Sequence, residues 1–130
     1  EMTQAFTSFM TDGVYYSPKA IKQVTDKEGN VLYAWPEEGR RIWSGSTASE
    51  MQKMLRRVVS EGTGRAASFS TDGYIGGKTG TTNSYHDLWF IGSTEDYTSG
   101  VWLGYDKPKA IGRGVQTHMQ IWRSYMSALD

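Results

Sequence analysis

Between residues 47 and 61 the apolar positions repeat with a helical period. Met51, Met54, Leu55, Val58 and Val59 stand at i, i+3, i+4, i+7 and i+8 and form one face. Thr47-Ala48-Ser49-Glu50 has the form of a capping box, with Ser44 as an alternative start, and Gly62 and Gly64 end the pattern. Met2, Phe6, Phe9 and Met10 predict a shorter helix over 1–11, closed by Asp12-Gly13. Ile121, Trp122, Tyr125, Met126 and Leu129 predict a third over 118–129, with Tyr125, Met126 and Leu129 largely buried against a sheet. Elsewhere the pattern is that of strands. Residues 14–35 read as extended, with a hairpin turn at Lys27-Glu28-Gly29-Asn30. Segments 75–82, 87–93 and 98–104 read as three strands, separated by turns at Asn83-Ser84 and Ser93-Thr94-Glu95-Asp96. Connections this short demand antiparallel neighbours. "PEEGRR", "SFSTDGYIGG" and "DKPKAIGRGVQT" read as loops. The predicted fold class is α+β: a three-strand antiparallel meander over 75–104 flanked by helices.

Composition narrows the function classes. The 130 residues suit one modest domain or a piece of a larger one, and a chain starting with Glu1 is expected to begin inside something longer. Fourteen basic and fourteen acidic residues give zero formal charge, without the basic excess a nucleic-acid binder carries. There is no cysteine, so disulfide scaffolds and thiolate metal sites are excluded. His86 and His118 have no ligand-like spacing, and no metal or cofactor is expected. No segment approaches the ~18 apolar residues of a membrane span.

The candidate chemistry lies in "IGGKTGTTNSYHDLWFIG", residues 75–92. Gly77-Lys78-Thr79 resembles the end of a phosphate-binding loop, but that motif needs a glycine where Asp72 stands, and a helix after Thr79 where the strand pattern continues. On a strand the same residues make a different site. Lys78 supplies a fixed positive charge. Thr79 and Thr81 are two apart, so both hydroxyls reach one face. Gly80 has no Cβ, which lets another backbone approach closely. Tyr85, His86 and Asp87 read as turn residues.

In order along the chain stand "MTQAFTSF", "DKEGNVLY", "STASEMQKMLRRVVSEGTGRAA", "GGKTGTTNSYHDLWFIG", "GVWLGYD" and "IWRSYM". This series resembles the C-terminal part of the transpeptidase domain of class A bifunctional penicillin-binding proteins, whose motif set pairs K-T-G with S-x-x-K and S-x-N. "GRGVQTHMQ", and the lack of a helix-start proline in "SGSTAS", depart from it. The resemblance implies a fragment (residues 1–130) of the penicillin-binding and serine β-lactamase-like fold. It implies a peptidoglycan D,D-transpeptidase acting through a serine acyl-enzyme on D-Ala-D-Ala stem peptides, mimicked by β-lactams, at the extracytoplasmic face of a bacterial membrane. It implies Lys78 and Thr81 as catalytic residues, the latter through a backbone N–H in an oxyanion hole, and Thr79, Gly80 and Thr81 as substrate contacts. One such donor is worth about 3–4 kcal/mol in the transition state.

The resemblance also predicts what this chain lacks. No serine has lysine three residues on; Ser49 comes nearest, with Lys53 at +4. Neither Asn30 nor Asn83 has serine two residues before it. Both motifs are expected upstream of Glu1, and the chain alone is expected to be inactive. A non-catalytic binding module retaining the wall of such a site is the alternative. The strand Thr98–Gly104 is expected to keep an unpaired apolar edge, and the Met51, Leu55 and Val58 face to lack cover. The isolated chain is therefore expected to self-associate or to pair with the missing part.

Overall fold

The computed structural model describes residues 1–129. The elements run in the order α1 (Met2–Met10), β1 (Val14–Tyr16), β2 (Gln23–Thr25), β3 (Val31–Ala34), β4 (Gly39–Arg41), α2 (Gly45–Ser60), a 3-10 turn at Arg65–Ala67, β5 (Gly76–Thr81), β6 (Leu88–Ser93), β7 (Thr98–Leu103) and α3 (Thr117–Met126). The central sheet has the order β5-β6-β7, antiparallel throughout. This is the predicted meander.

The strand register sorts side chains to two faces. Lys78 lies opposite Ile91, Thr79 opposite Phe90, Gly80 opposite Trp89 and Thr81 opposite Leu88. Phe90 and Val101 look toward α3, where Phe90 meets Trp122 edge-on at 5.1 Å between ring centroids. Val59, Ala67, Ile75, Met119 and Met126 complete this core. The Trp122 indole N–H donates to the Ser99 carbonyl at 3.2 Å, so the ring is buried without stranding its polar atom. Gln52, on α2, donates to the Phe9 carbonyl at the end of α1 and accepts the Tyr74 hydroxyl through its own carbonyl.

The third helix corrects the expectation drawn from its pattern. Met126 is fully buried, but Tyr125 is 57% and Leu129 40% exposed. Two apolar rows run along α3, and the sheet takes the row of His118, Met119, Trp122 and Met126. The large Trp122 ring fills the space above Phe90, which turns Ile121, Tyr125 and Leu129 outward. On α2 the buried face is Ala48, Leu55 and Val59, while Met54 is exposed. Leu55 is thus covered within this chain, against the expectation that its face is bare. Ser44, rather than Thr47, caps α2, its hydroxyl accepting the Thr47 amide at 3.1 Å.

The 26–30 turn forms as expected: Asp26 Oδ1 accepts the amides of Glu28 and Asn30, with β2 and β3 paired on either side. "PEEGRR" is not all loop. Gly39–Arg41 pairs with Val14–Tyr16, and Arg41 reaches back to the Asp12 carbonyl and carboxylate. All three β4 residues are exposed, so no apolar alternation marks the strand.

Candidate functional site

β5 is an edge strand, and its free edge is the centre of the site. The Thr82 N–H donates to the Asp87 carbonyl across the turn at 3.2 Å, which makes these two a hydrogen-bonded pair. In an antiparallel ladder the next pair, Thr81 with Leu88, is then non-hydrogen-bonded, so the N–H and C=O of Thr81 point away from β6. The same alternation turns the Thr79 carbonyl outward, where it accepts the Lys78 ammonium at 2.7 Å. The backbone amide of Thr81 and the charge of Lys78 therefore share one open strand edge.

Side chains divide about that edge. Lys78 and Gly80, with Thr79 between them, line an open groove of about 410 Å³ with Met2 and Phe6 of α1 and Trp89 and Ile91 of β6. A Cβ on Gly80 would meet Trp89 Cβ at 3.3 Å, a tight contact on the β6 side, and no other atom within 4 Å. Thr79 and Thr81 share the opposite face, as their spacing predicts, and line a second groove of about 220 Å³ against the start of α3. The four residues singled out from the sequence thus stand on one strand. Lys78 borders the first groove, Thr81 the second, and Thr79 both.

The structure adds residues that the motif does not name. The Thr63 hydroxyl, in the loop after α2, lies 2.9 Å from the Thr79 hydroxyl and orients it. Tyr85 holds a left-handed conformation (φ 56°) in the β5–β6 turn, and its carbonyl accepts the Ile111 amide at 2.8 Å, tying the C-terminal loop beside the strand. The Thr82 hydroxyl accepts the amides of His86 and Asp87, and Asp87 accepts the Trp102 indole N–H at 3.0 Å. His86 and Asp87 therefore act in the turn, as expected. His118 is 2% exposed, lines the second groove, and has no hydrogen-bond partner at Nδ1. Burial lowers its pKa. Thr63 is one threonine among many in the sequence, and nothing in its spacing points to Thr79. Only the departure of "GRGVQTHMQ" from the resemblance marks the His118 segment.

The family model of the penicillin-binding protein transpeptidase domain matches residues 1–112. The chain belongs to this family. It is 42% identical over 130 residues to penicillin-binding protein 4 of Bacillus subtilis, covering 98% of this chain and 21% of that protein. It is 36% identical to penicillin-binding protein 1A of Aquifex aeolicus, covering 99% of this chain and 18% of that one. The chain thus spans about a fifth of the length of these curated relatives. The crystal structure of penicillin-binding protein 1A from Haemophilus influenzae has the same fold over 98% of this chain and 25% of its own, with a TM-score of 0.79 at 22% identity. Penicillin-binding protein 3 of Mycobacterium tuberculosis, solved as a complex with aztreonam, superposes over 98% of this chain and 33% of its own, with a TM-score of 0.76 at 24% identity.

Proposed function

We propose that residues 1–130 are the C-terminal portion of a D,D-transpeptidase domain and form one wall of its acylation site. The observation that carries this reading is the free edge of β5, with the Thr81 amide turned outward, the Lys78 charge beside it and no side chain at Gly80. A serine held by sequence outside this chain attacks the penultimate carbonyl of a D-Ala-D-Ala peptide and expels the terminal D-alanine. The acyl-enzyme then passes its acyl group to an amine of a second stem peptide. The Thr81 N–H receives the oxyanion that develops on the attacked carbonyl. Thr79 and Thr81 hydroxyls bind the terminal carboxylate, Gly80 admits the peptide backbone, and the Lys78 ammonium favours anionic substrate and transition state. β-Lactams, which present an equivalent carbonyl and carboxylate, acylate the same serine. On this reading the parent protein works at the extracytoplasmic face of a bacterial membrane, where its peptidoglycan substrate lies.

This chain contributes no activated serine, so it is inactive alone. Incubation with a fluorescent penicillin and intact-mass measurement tests the division of labour. No adduct is expected on the isolated chain, and one adduct per molecule is expected on the longer protein that contains it. A stoichiometric adduct on the isolated chain overturns the reading.

A further inference from the structure

We propose that the groove between β5 and the start of α3 is a carboxylate pocket in which His118 contacts the ligand. This rests on Thr79 and Thr81 as the carboxylate contacts of the substrate, and adds the opposite wall. His118 projects from the first turn of α3, is 2% exposed and lines the groove, yet its Nδ1 has no partner. A buried ring nitrogen without a partner carries a desolvation cost that a bound polar group removes. The surroundings say which group. Gln116, at the α3 N-cap, places no side-chain oxygen on the first-turn amides, leaving that end of the helix uncapped by a side chain. Thr79, Thr81 and Tyr85 line the other side. Gly112 and Gly114, at φ 125° and 75°, carry the chain past the mouth of the groove.

No Asp or Glu lines the groove among the described residues, so nothing there repels an anion. Arg113, between two of the lining glycines, holds its guanidinium 5.8 Å from the centre of the Tyr85 ring, so one positive charge stands beside the groove, which suits a singly charged carboxylate better than a doubly charged phosphate. A single carboxylate, held by hydroxyls, an uncapped helix start and one imidazole N–H, matches this set. Burial keeps the imidazole neutral near pH 7, with one N–H to donate.

The test is NMR of the isotope-labelled chain, titrated with sodium N-acetyl-D-alaninate at pH 7 and constant ionic strength. Sodium phosphate and sodium chloride are the parallel arms. Saturable shifts are expected in the His118 imidazole nitrogens and in the Thr117 and His118 amides, together with Thr79 and Thr81, in the carboxylate arm alone. His118→Leu is expected to weaken binding roughly tenfold, the scale of one hydrogen bond to a charged group. If that variant does not fold, the imidazole signals of the unmutated chain decide. Shifts at Thr79 and Thr81 without His118 overturn this proposal and leave the transpeptidase reading standing. No shift at any of them overturns the carboxylate assignment of the threonines as well. Equal shifts with phosphate overturn the choice of carboxylate. A water bound at Nδ1 that the ligand leaves in place shows that His118 is satisfied by solvent, and also overturns the proposal.

Discussion

Gly77 lies directly against Phe90: a Cβ built on Gly77 would sit 2.4 Å from Phe90 Cζ and 2.8 Å from the Ile91 carbonyl oxygen. Phe90 is fully buried and held on its other side by Trp122, so it has nowhere to retreat. Three residues along the same strand, a Cβ on Gly80 would meet one neighbour, Trp89 Cβ at 3.3 Å, where Gly77 has a ring and a carbonyl oxygen below 3 Å. The two glycines of one motif thus have different surroundings: one lets the strand seat on the core, the other lies against a single side chain of β6.

Gly77→Ala is accordingly expected to destabilise the fold by about 1–3 kcal/mol, the range for overpacking. Gly80→Ala is expected to change stability by less than about 1 kcal/mol, while slowing penicillin acylation in the longer protein. Urea unfolding of the two variants beside an acylation assay separates them. Equal stability losses would contradict this assignment.

A pH dependence follows from His118. Burial sets its folded pKa below the ordinary 6.5, so the unfolded chain binds a proton more readily. Its contribution to stability is full above about pH 6.5 and is lost as pH falls toward the folded value. The carboxylates with lowered pKa are Asp26, held chiefly by the Asn30 side chain, and Glu37, held by Lys19. They lose their contributions only below their unfolded values of 3.8 and 4.5. Between about pH 4.5 and 6.5 the slope therefore belongs to His118 among these groups, and His118→Gln should flatten it in urea titrations at fixed pH. At the alkaline end, burial pushes Tyr74 up to about 12 from 10.0, so its contribution holds below pH 10 and is lost as pH rises toward 12. Tyr74→Phe should remove that loss.

Association is expected at the other edge of the sheet. Among the described residues the β7 strand is hydrogen-bonded to β6 alone, and neither β1–β4 nor β2–β3 joins it. Its outward edge is a template for another strand. Val101 packs on the core, so a charge there would report on folding rather than on association. Trp102 is 45% exposed and is the better probe. Sedimentation velocity at micromolar concentration should show a dimer or larger species that Trp102→Lys weakens. A monomer at every concentration would contradict the expectation.

Much of the frame was legible because local rules and tertiary packing agree in it. The α2 period, the alternation in β5 to β7 and the Asp26–Asn30 turn all need only neighbours in sequence. Other features depended on distant partners. The β4 strand is polar and exposed and exists because Val14–Tyr16 offers a ladder and Asp12 binds Arg41. The choice between two apolar rows on α3 was made by the fit of Trp122 to Phe90, which no helical period reveals. The strand residues of the candidate site, from Lys78 to Thr81, were picked out by the motif and stand together on β5. It was not legible in Thr63, in the loop after α2, or in His118, on the first turn of α3, which come to the strand from 16 and 39 residues away in sequence.

The claim that β5 is the wall of an acylation site is tested most directly by the rate of labelled-penicillin acylation in the longer protein, with and without Lys78→Ala. Lys78 is exposed, so the variant should keep its thermal midpoint. The second-order rate constant is expected to fall about 10²-fold or more, the scale of a lost transition-state contact. An unchanged rate constant in a folded Lys78→Ala protein would contradict it.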